Sequence, residues 1–242
     1  PGKSALSIVK SFSQTFKYQQ DRRQKSSVHS LFMMGSTGTL AHSESSDVDL
    51  WLCCDPDLNV EQLALIKQKA DKLDQWANSL GLELHTFLMN ARVFKQGGDA
   101  PSMDSESSGS AQHYLLLDEF YRTAILLAGR YPIWWLIPPE LESNYEKYTT
   151  LLLHKRFIKE TDVIDFGSAA NIPKGELVGA GLWQLYKSLD SPYKSVLKLM
   201  LAEVYAQELP ENPSLSVVYK HAVYDDELAI DKLDPYFLIY QR

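Results

Sequence analysis

The sequence predicts an α/β protein, with a small mixed sheet and flanking helices followed by a mainly helical lobe. Three observations carry this expectation. Leu31 to Cys54 holds two short apolar runs joined by a polar turn. Residues 59–89 read as a helix closed by glycine and then a strand, and from about Ser143 the apolar spacing becomes helical. We place the divide near residue 140, with a metal- and nucleotide-binding lobe over 1–140 and a helical lobe over 141–242 that closes a cleft.

The elements follow in chain order. Leu6, Ile8, Val9, Phe12 and Phe16 have loosely helical spacing, which predicts a helix over 3–18 packed behind the first strand. In the stretch from Leu31 to Cys54 the first apolar run ends at Gly35-Ser36, and the second opens with Asp47-Val48-Asp49. Asn59 and Gln62 form a capping-box pattern. Leu63, Ile66, Ala70, Leu73, Ala77 and Leu80 then recur every three or four residues up to Gly81, where a left-handed cap suits glycine. Leu82 to Met89 alternates as a strand. Residues 95–111 are rich in Gly, Ser and acids without apolar period and read as a loop inside the domain. His113 to Ala128 reads as a helix closed by Gly129, with Arg122 in its middle either paired to Asp118 or Glu119 or in contact with a phosphate. Pro132 to Pro138 reads as a short apolar strand, with Trp134 and Trp135 as core. A long helical region follows and ends at Pro210 and Pro213, with a fresh helix opening at Ser191-Pro192.

Bulk properties narrow the function. With 242 residues, 45% of them hydrophobic, the chain can build one sizeable core or two lobes sharing a cleft. Its net charge is -7, and the basic residues are scattered apart from Arg22, Arg23 and Lys25. Nucleic-acid partners are disfavoured, because most of their affinity comes from neutralising phosphates. A small anion held with a metal remains compatible. The two cysteines, Cys53 and Cys54, are adjacent and fall on opposite faces of a strand, so they read as reduced core residues of a cytoplasmic protein. No apolar run approaches the roughly 18 residues of a membrane span, and the start PGKSALSIVK has no signal-peptide segment. Pro1 in place of Met is expected of a processed or excised fragment.

The chemistry concentrates at Asp47 and Asp49. Alternation puts Asp47, Asp49, Trp51 and Cys53 on one face of the strand, and side chains two apart on a strand lie about 7 Å from one another. Two carboxylates so placed can share a pair of divalent ions, the arrangement of two-metal phosphoryl chemistry. Gly35 permits close backbone approach, and Ser36 offers a hydroxyl and nearby amides to a phosphate oxygen. On the neighbouring strand Glu83, His85, Phe87 and Met89 share a face. Glu83 is either a third carboxylate, able to ligand a metal and take a proton, or a surface residue at a strand start. Trp51 either packs beneath a nucleotide or belongs to the core. Lys194, in the first turn after Ser191, and Lys187 just upstream form either an anion site at a helix N-terminus or two solvated lysines.

Gly-Ser, a gap of ten residues and then Asp-apolar-Asp-apolar resembles the signature of the DNA polymerase beta type nucleotidyltransferase fold. MGSTGTLAHSESSDVDLW (34–51), LLLDEFYRTAILLAG (115–129), LWQLYKSLDSPYKSVLKLMLAE (182–203) and LDPY (233–236) are similar to the N-terminal catalytic region of class I adenylate cyclases of the enterobacterial type. The likeness runs from about Leu31 to Tyr236 and fails in 1–30, 91–111 and parts of 140–178. It implies conversion of ATP to cyclic AMP and pyrophosphate with two magnesium ions, manganese being an alternative. It also implies metal binding by Asp47, Asp49 and Glu83, nucleotide contacts from Gly35, Ser36, Ser46, Trp51, Lys187, Ser191 and Lys194, and a longer parent chain with a C-terminal regulatory region. Transfer of AMP to a protein or small-molecule acceptor uses the same metal face, and a nucleotide-binding module without catalysis would share it too.

Overall fold

A computed structural model describes residues 2–17, 26–44, 46–97, 112–169, 172–189, 192–209, 211–226, 229 and 234–242. Ser191, the basic residues at 22–25, Pro210 and most of the 95–111 loop therefore lie outside the described residues.

The architecture is mixed α/β. Strands β1 (Val28–Met34), β2 (Val48–Cys54), β3 (Leu84–Met89) and β4 (Ile125–Gly129) form one sheet in the order β3-β2-β1-β4. β1 is antiparallel to β2 and to β4, whereas β2 and β3 are parallel, joined through helix α2 (Val60–Ser79). The parallel pair needs that crossover, since a two-residue turn cannot return the chain in the same direction. Helix α2 starts as its sequence dictates: Asn59 accepts from the Gln62 backbone, and the Gln62 side chain accepts from the Asn59 backbone. It stops one residue before Leu80, and Gly81 takes φ +83°.

The two sheet faces bury different cores. Phe32, Trp51, Cys53 and Met89 lie in the principal core, where the Trp51 ring stacks on Phe120 with centroids 4.5 Å apart. Leu52, Cys54 and Leu88 face the other way, against Leu63, Ile66 and Ala70 of α2. Both cysteines are free and buried.

Three expectations change. The predicted helix over 113–128 is shorter: α4 (His113–Thr123) ends where Ala124 turns extended, and Ile125–Gly129 becomes the edge strand β4. The Thr123 hydroxyl bonds back to the Glu119 carbonyl at 2.9 Å, and the β-compatible run Ile-Leu-Leu then pairs with β1. Gly129 does not cap a helix but allows a close strand approach: at φ +97°, a β-carbon there would sit 2.1 Å from the His29 carbonyl oxygen. The predicted strand over 132–138 is strand only at β5 (Tyr131–Pro132), which pairs with β6 (Val163–Ile164). Ile133–Leu136 then forms a 3-10 turn that buries Trp134. Helix α1 (Lys3–Phe12) is shorter than expected, buries no residue, and meets α2 through an edge-on contact of Phe12 with Trp76 rather than packing behind β1.

Among the described residues the further α-helices are α3 (Ala91–Lys95), α5 (Tyr145–His154), α6 (Lys174–Lys187), α7 (Pro192–Glu208), α8 (Leu215–Tyr224) and α9 (Pro235–Gln241). Leu201 and Tyr205 of α7, Leu215 and Tyr236 build a second core, into which Ala41 from the β1–β2 loop also packs. A buried polar junction joins the two regions. The Asp118 carboxylate accepts from Arg122 Nε at 3.2 Å, from the Tyr205 hydroxyl at 3.0 Å and from the Ser216 amide at 2.9 Å. Arg122 also donates to the Pro235 carbonyl, so its expected structural pairing with Asp118 is what the fold contains. Among the described residues no helix is long and apolar enough to cross a membrane.

Candidate functional site

β1 delivers Gly35 to the start of β2, where Met34 and Asp49 are in register. Gly35 takes φ +88°, a conformation that favours glycine, and donates its amide to the Thr123 hydroxyl at 3.2 Å. A β-carbon on Gly35 would lie 3.6 Å from Asp49 Oδ2, an ordinary contact distance, so the turn runs alongside that carboxylate. Ser36 is buried and its Oγ has no hydrogen-bond partner among the described residues; Thr37 is half-buried, and its Oγ1 likewise has none among them. A buried hydroxyl without a partner is a cost that a phosphate or a metal-bound water would remove at Ser36, next to the Gly35 turn; Thr37 instead lines the cavity walled by Trp134 and Lys220.

The loop carrying them is fixed from both ends. The Ser36 carbonyl accepts from the Thr39 amide and hydroxyl, and the Leu40 amide donates to Asp234 Oδ2 at 2.7 Å. Asp234 Oδ1 simultaneously caps α9 by accepting from the Tyr236 and Phe237 amides. Ser46 is buried and turned towards Ser43, whose amide it accepts at 3.0 Å, so its hydroxyl serves the loop.

Asp47 is exposed and Asp49 is partly buried at the same edge. Burial, and after it the Asp47 charge, pushes the Asp49 carboxyl up to about 6; His85 and Lys198 act in the opposite direction. A site that resists its own negative charge is suited to a bound cation. His85 is the register partner of Asp49 on β3. Glu83, immediately before that strand, is exposed and places its carboxylate 3.2 Å from His85 Nε2. Among the described residues no three His, Cys, Asp or Glu side chains form a group able to hold a metal, so the expected triad of Asp47, Asp49 and Glu83 is not assembled here. Alternation gave the shared face correctly, but Glu83 sits at the solvent edge and turns to the adjacent imidazole.

Across from the carboxylates stands a charge pair that sequence reasoning did not find. Lys198 of α7 bonds both oxygens of Glu119 on α4, at 2.9 and 3.1 Å. Burial opposes the charge of each, yet the pairing prevails: Glu119 stays below the usual carboxylate range, and Lys198 above the usual amine range. Lys194 lies one turn earlier on α7 and also acts on Glu119. Tyr236 adjoins the same group, and burial, with the Glu119 charge behind it, raises its hydroxyl to about 12. The signals were present in the sequence as Lys194 and Lys198 at i and i+4, and as the LDPY segment. Of the two lysines expected to bind phosphate, Lys194 is brought to this side. Lys187 is exposed in the last turn of α6, its ammonium 5.6 Å from the Trp183 ring. Trp51 is 1% exposed, stacked on Phe120 and edge-on to Phe94, and offers no surface to a nucleotide: it supports the floor on which Asp49 stands.

Fold and site together define a mixed α/β protein with an acidic strand edge, a glycine-serine turn and an opposed lysine helix. Residues 1–135 match the family model described as the adenylate cyclase N-terminal domain, and residues 172–242 match the second domain of class-I adenylate cyclase. The chain belongs to the class-I adenylate cyclase family. It is 40% identical over 212 residues to the adenylate cyclase of Escherichia coli K12, covering 88% of this chain and 25% of that relative. To the adenylate cyclases of Yersinia intermedia and Proteus mirabilis it is 37% identical over the same length. The chain thus spans about a quarter of the length of these curated relatives. No solved structure matches it.

Proposed function

We propose that this region is the catalytic part of an adenylate cyclase, converting ATP to 3′,5′-cyclic AMP and pyrophosphate. The observation that carries the reading is the pairing of Asp47 and Asp49 at one strand edge against Gly35 and the unpartnered Ser36 hydroxyl. These groups fit divalent metal: two carboxylates on one face, one of them pushed up to about 6 by its surroundings. In this reading Asp47 and Asp49 would hold divalent metal, two magnesium ions, which would supply neutralisation of phosphate charge and a lower pKa for the attacking hydroxyl.

The chain's own residues do the rest. The Gly35 backbone and the Ser36 hydroxyl receive the triphosphate, and Lys194 and Lys198 attract the departing pyrophosphate from α7. The 3′-oxygen forms a bond to the α-phosphorus, and the bond from that phosphorus to the bridging oxygen of the β-phosphate breaks with its electron pair on pyrophosphate. Glu83, at the open edge and hydrogen-bonded to His85, accepts the hydroxyl proton. In this reading the helices that carry Lys194 and Lys198 close over the nucleotide, and the buried free thiols of Cys53 and Cys54 suit the reducing cytoplasm. The remaining length seen in the relatives is read as regulatory.

The test is pyrophosphate release from ATP and magnesium by the wild-type chain and by Asp47→Asn and Asp49→Asn. Each substitution is expected to remove about 3 kcal/mol or more of transition-state stabilisation, at least a hundredfold in rate. Wild-type-like release by both folded variants would refute the assignment.

A further inference from the structure

Helices α6 and α7 pack on each other with four residues between them in sequence, a separation that makes neighbouring helices antiparallel. Their contact passes through Gly181 and Leu199, since a β-carbon on Gly181 would lie 4.0 Å from Leu199 Cδ2. Leu177, Ala180 and Gln184 of α6, and Ser195, Leu201 and Tyr205 of α7, are buried. The inward faces are therefore already in use.

A second apolar stripe points outward. On α6, Val178, Leu182 and Leu185 are 66%, 65% and 58% exposed; on α7, Tyr193, Val196 and Met200 are 88%, 52% and 58% exposed. The spacing is i, i+4, i+7 on one helix and i, i+3, i+7 on the other, so each set forms one stripe. At about 100° per residue, both stripes lie roughly a quarter turn ahead of the Gly181–Leu199 contact. In an antiparallel pair the same offset brings them to the same side, making one continuous apolar surface. Single exposed apolar residues are ordinary, but six on one face of a helical hairpin are the mark of a contact surface.

What covers it follows from the extent of the family. The whole stripe lies within residues 172–242, the segment matched by the second-domain model, and the chain accounts for only 25% of the Escherichia coli relative. α9 packs against α7 and α8, so a polypeptide continuing past Arg242 sets out beside this hairpin. We propose that the outward face of α6–α7 is an intramolecular docking surface for the part of the family polypeptide that lies beyond this quarter, through an apolar helical face of its own.

Buried Cys53 and Cys54 make a clean thiol assay possible, because an introduced surface cysteine is the fast-reacting one. Leu182→Cys and Met200→Cys are compared with Glu61→Cys on the exposed face of α2, in the 242-residue chain and in the same residues extended to full family length. The expected result is rapid labelling of all three in the short chain, and at least tenfold slower labelling at 182 and 200, but not at 61, in the extended one. Equal rates at 182 and 200 in both forms would overturn the proposal. Slow labelling in the short chain would overturn it as well; if the protection grew with concentration alongside a dimer in sedimentation, the occupant would be a second copy.

Discussion

Gly35 and Asp49 meet where β1 ends and β2 begins: a β-carbon on Gly35 would stand 3.6 Å from Asp49 Oδ2, an ordinary contact distance. Space is therefore not what demands glycine here. The φ of +88° is. Gly35→Ala is expected to cost about 1–3 kcal/mol of stability through backbone strain alone. Because the strained turn positions Ser36, turnover should fall further than denaturant-measured stability predicts. Unchanged turnover in a destabilised Gly35→Ala protein would detach the turn from the chemistry.

Asp49 gives a pH prediction. Its folded-state carboxyl is raised from 3.8 to about 6, so between those values the folded protein holds a proton that the unfolded chain has released. Stability attributable to this group is therefore lost as pH rises from about 4 to 6, and the loss, ~3 kcal/mol, is complete above that window. Asp49→Asn should be more stable than wild type at pH 7.5 and no more stable at pH 3.5. Magnesium should raise the melting temperature of the wild type at pH 7.5 more than that of the variant. A stability difference independent of pH would contradict this electrostatic account.

The opposed helix separates two lysines that look alike in sequence. Lys198 engages Glu119 beside the acidic edge, whereas Lys187 lies over the Trp183 ring. A lysine meeting phosphate contributes about 1.5–3 kcal/mol, so Lys198→Met should weaken ATP binding roughly ten- to a hundredfold, with Lys198→Arg recovering part of the loss. Lys187→Met should change it less than twofold. Removing Lys198 leaves Glu119 unpaired, so the double variant Lys198→Met with Glu119→Gln is needed to separate binding from folding. Equal effects at 187 and 198 would show that the phosphate lies elsewhere.

Much of this was legible in the residues. The alternation through Asp47-Val48-Asp49-Leu50-Trp51 gave the shared face, and Asn59 with Gln62 gave the start of α2. Depth was not legible. Period two assigns a face, but it does not say that the same face passes from solvent at Asp47 into the closed core at Trp51 within four residues. Ile125 to Ala128 read as helix because a short apolar run has no decisive period; pairing with β1 decided it. The Glu119–Lys198 pair joins positions 79 apart in sequence, and Asp234 reaches back 194 residues to Leu40. Such pairings are fixed by tertiary packing and leave no local pattern.

The most direct test of the central claim is the identity of the product. The purified chain, and the same region in a full-length relative, are incubated with ATP and magnesium without added acceptor, and the nucleotides are separated chromatographically. Intramolecular attack needs only a ribose held near the α-phosphorus, an advantage of about 7–11 kcal/mol when the orientation is fixed. The account predicts cyclic AMP and pyrophosphate in equal amounts, lost together in Asp47→Asn. AMP attached to an acceptor, with no cyclic nucleotide from either protein, would contradict it.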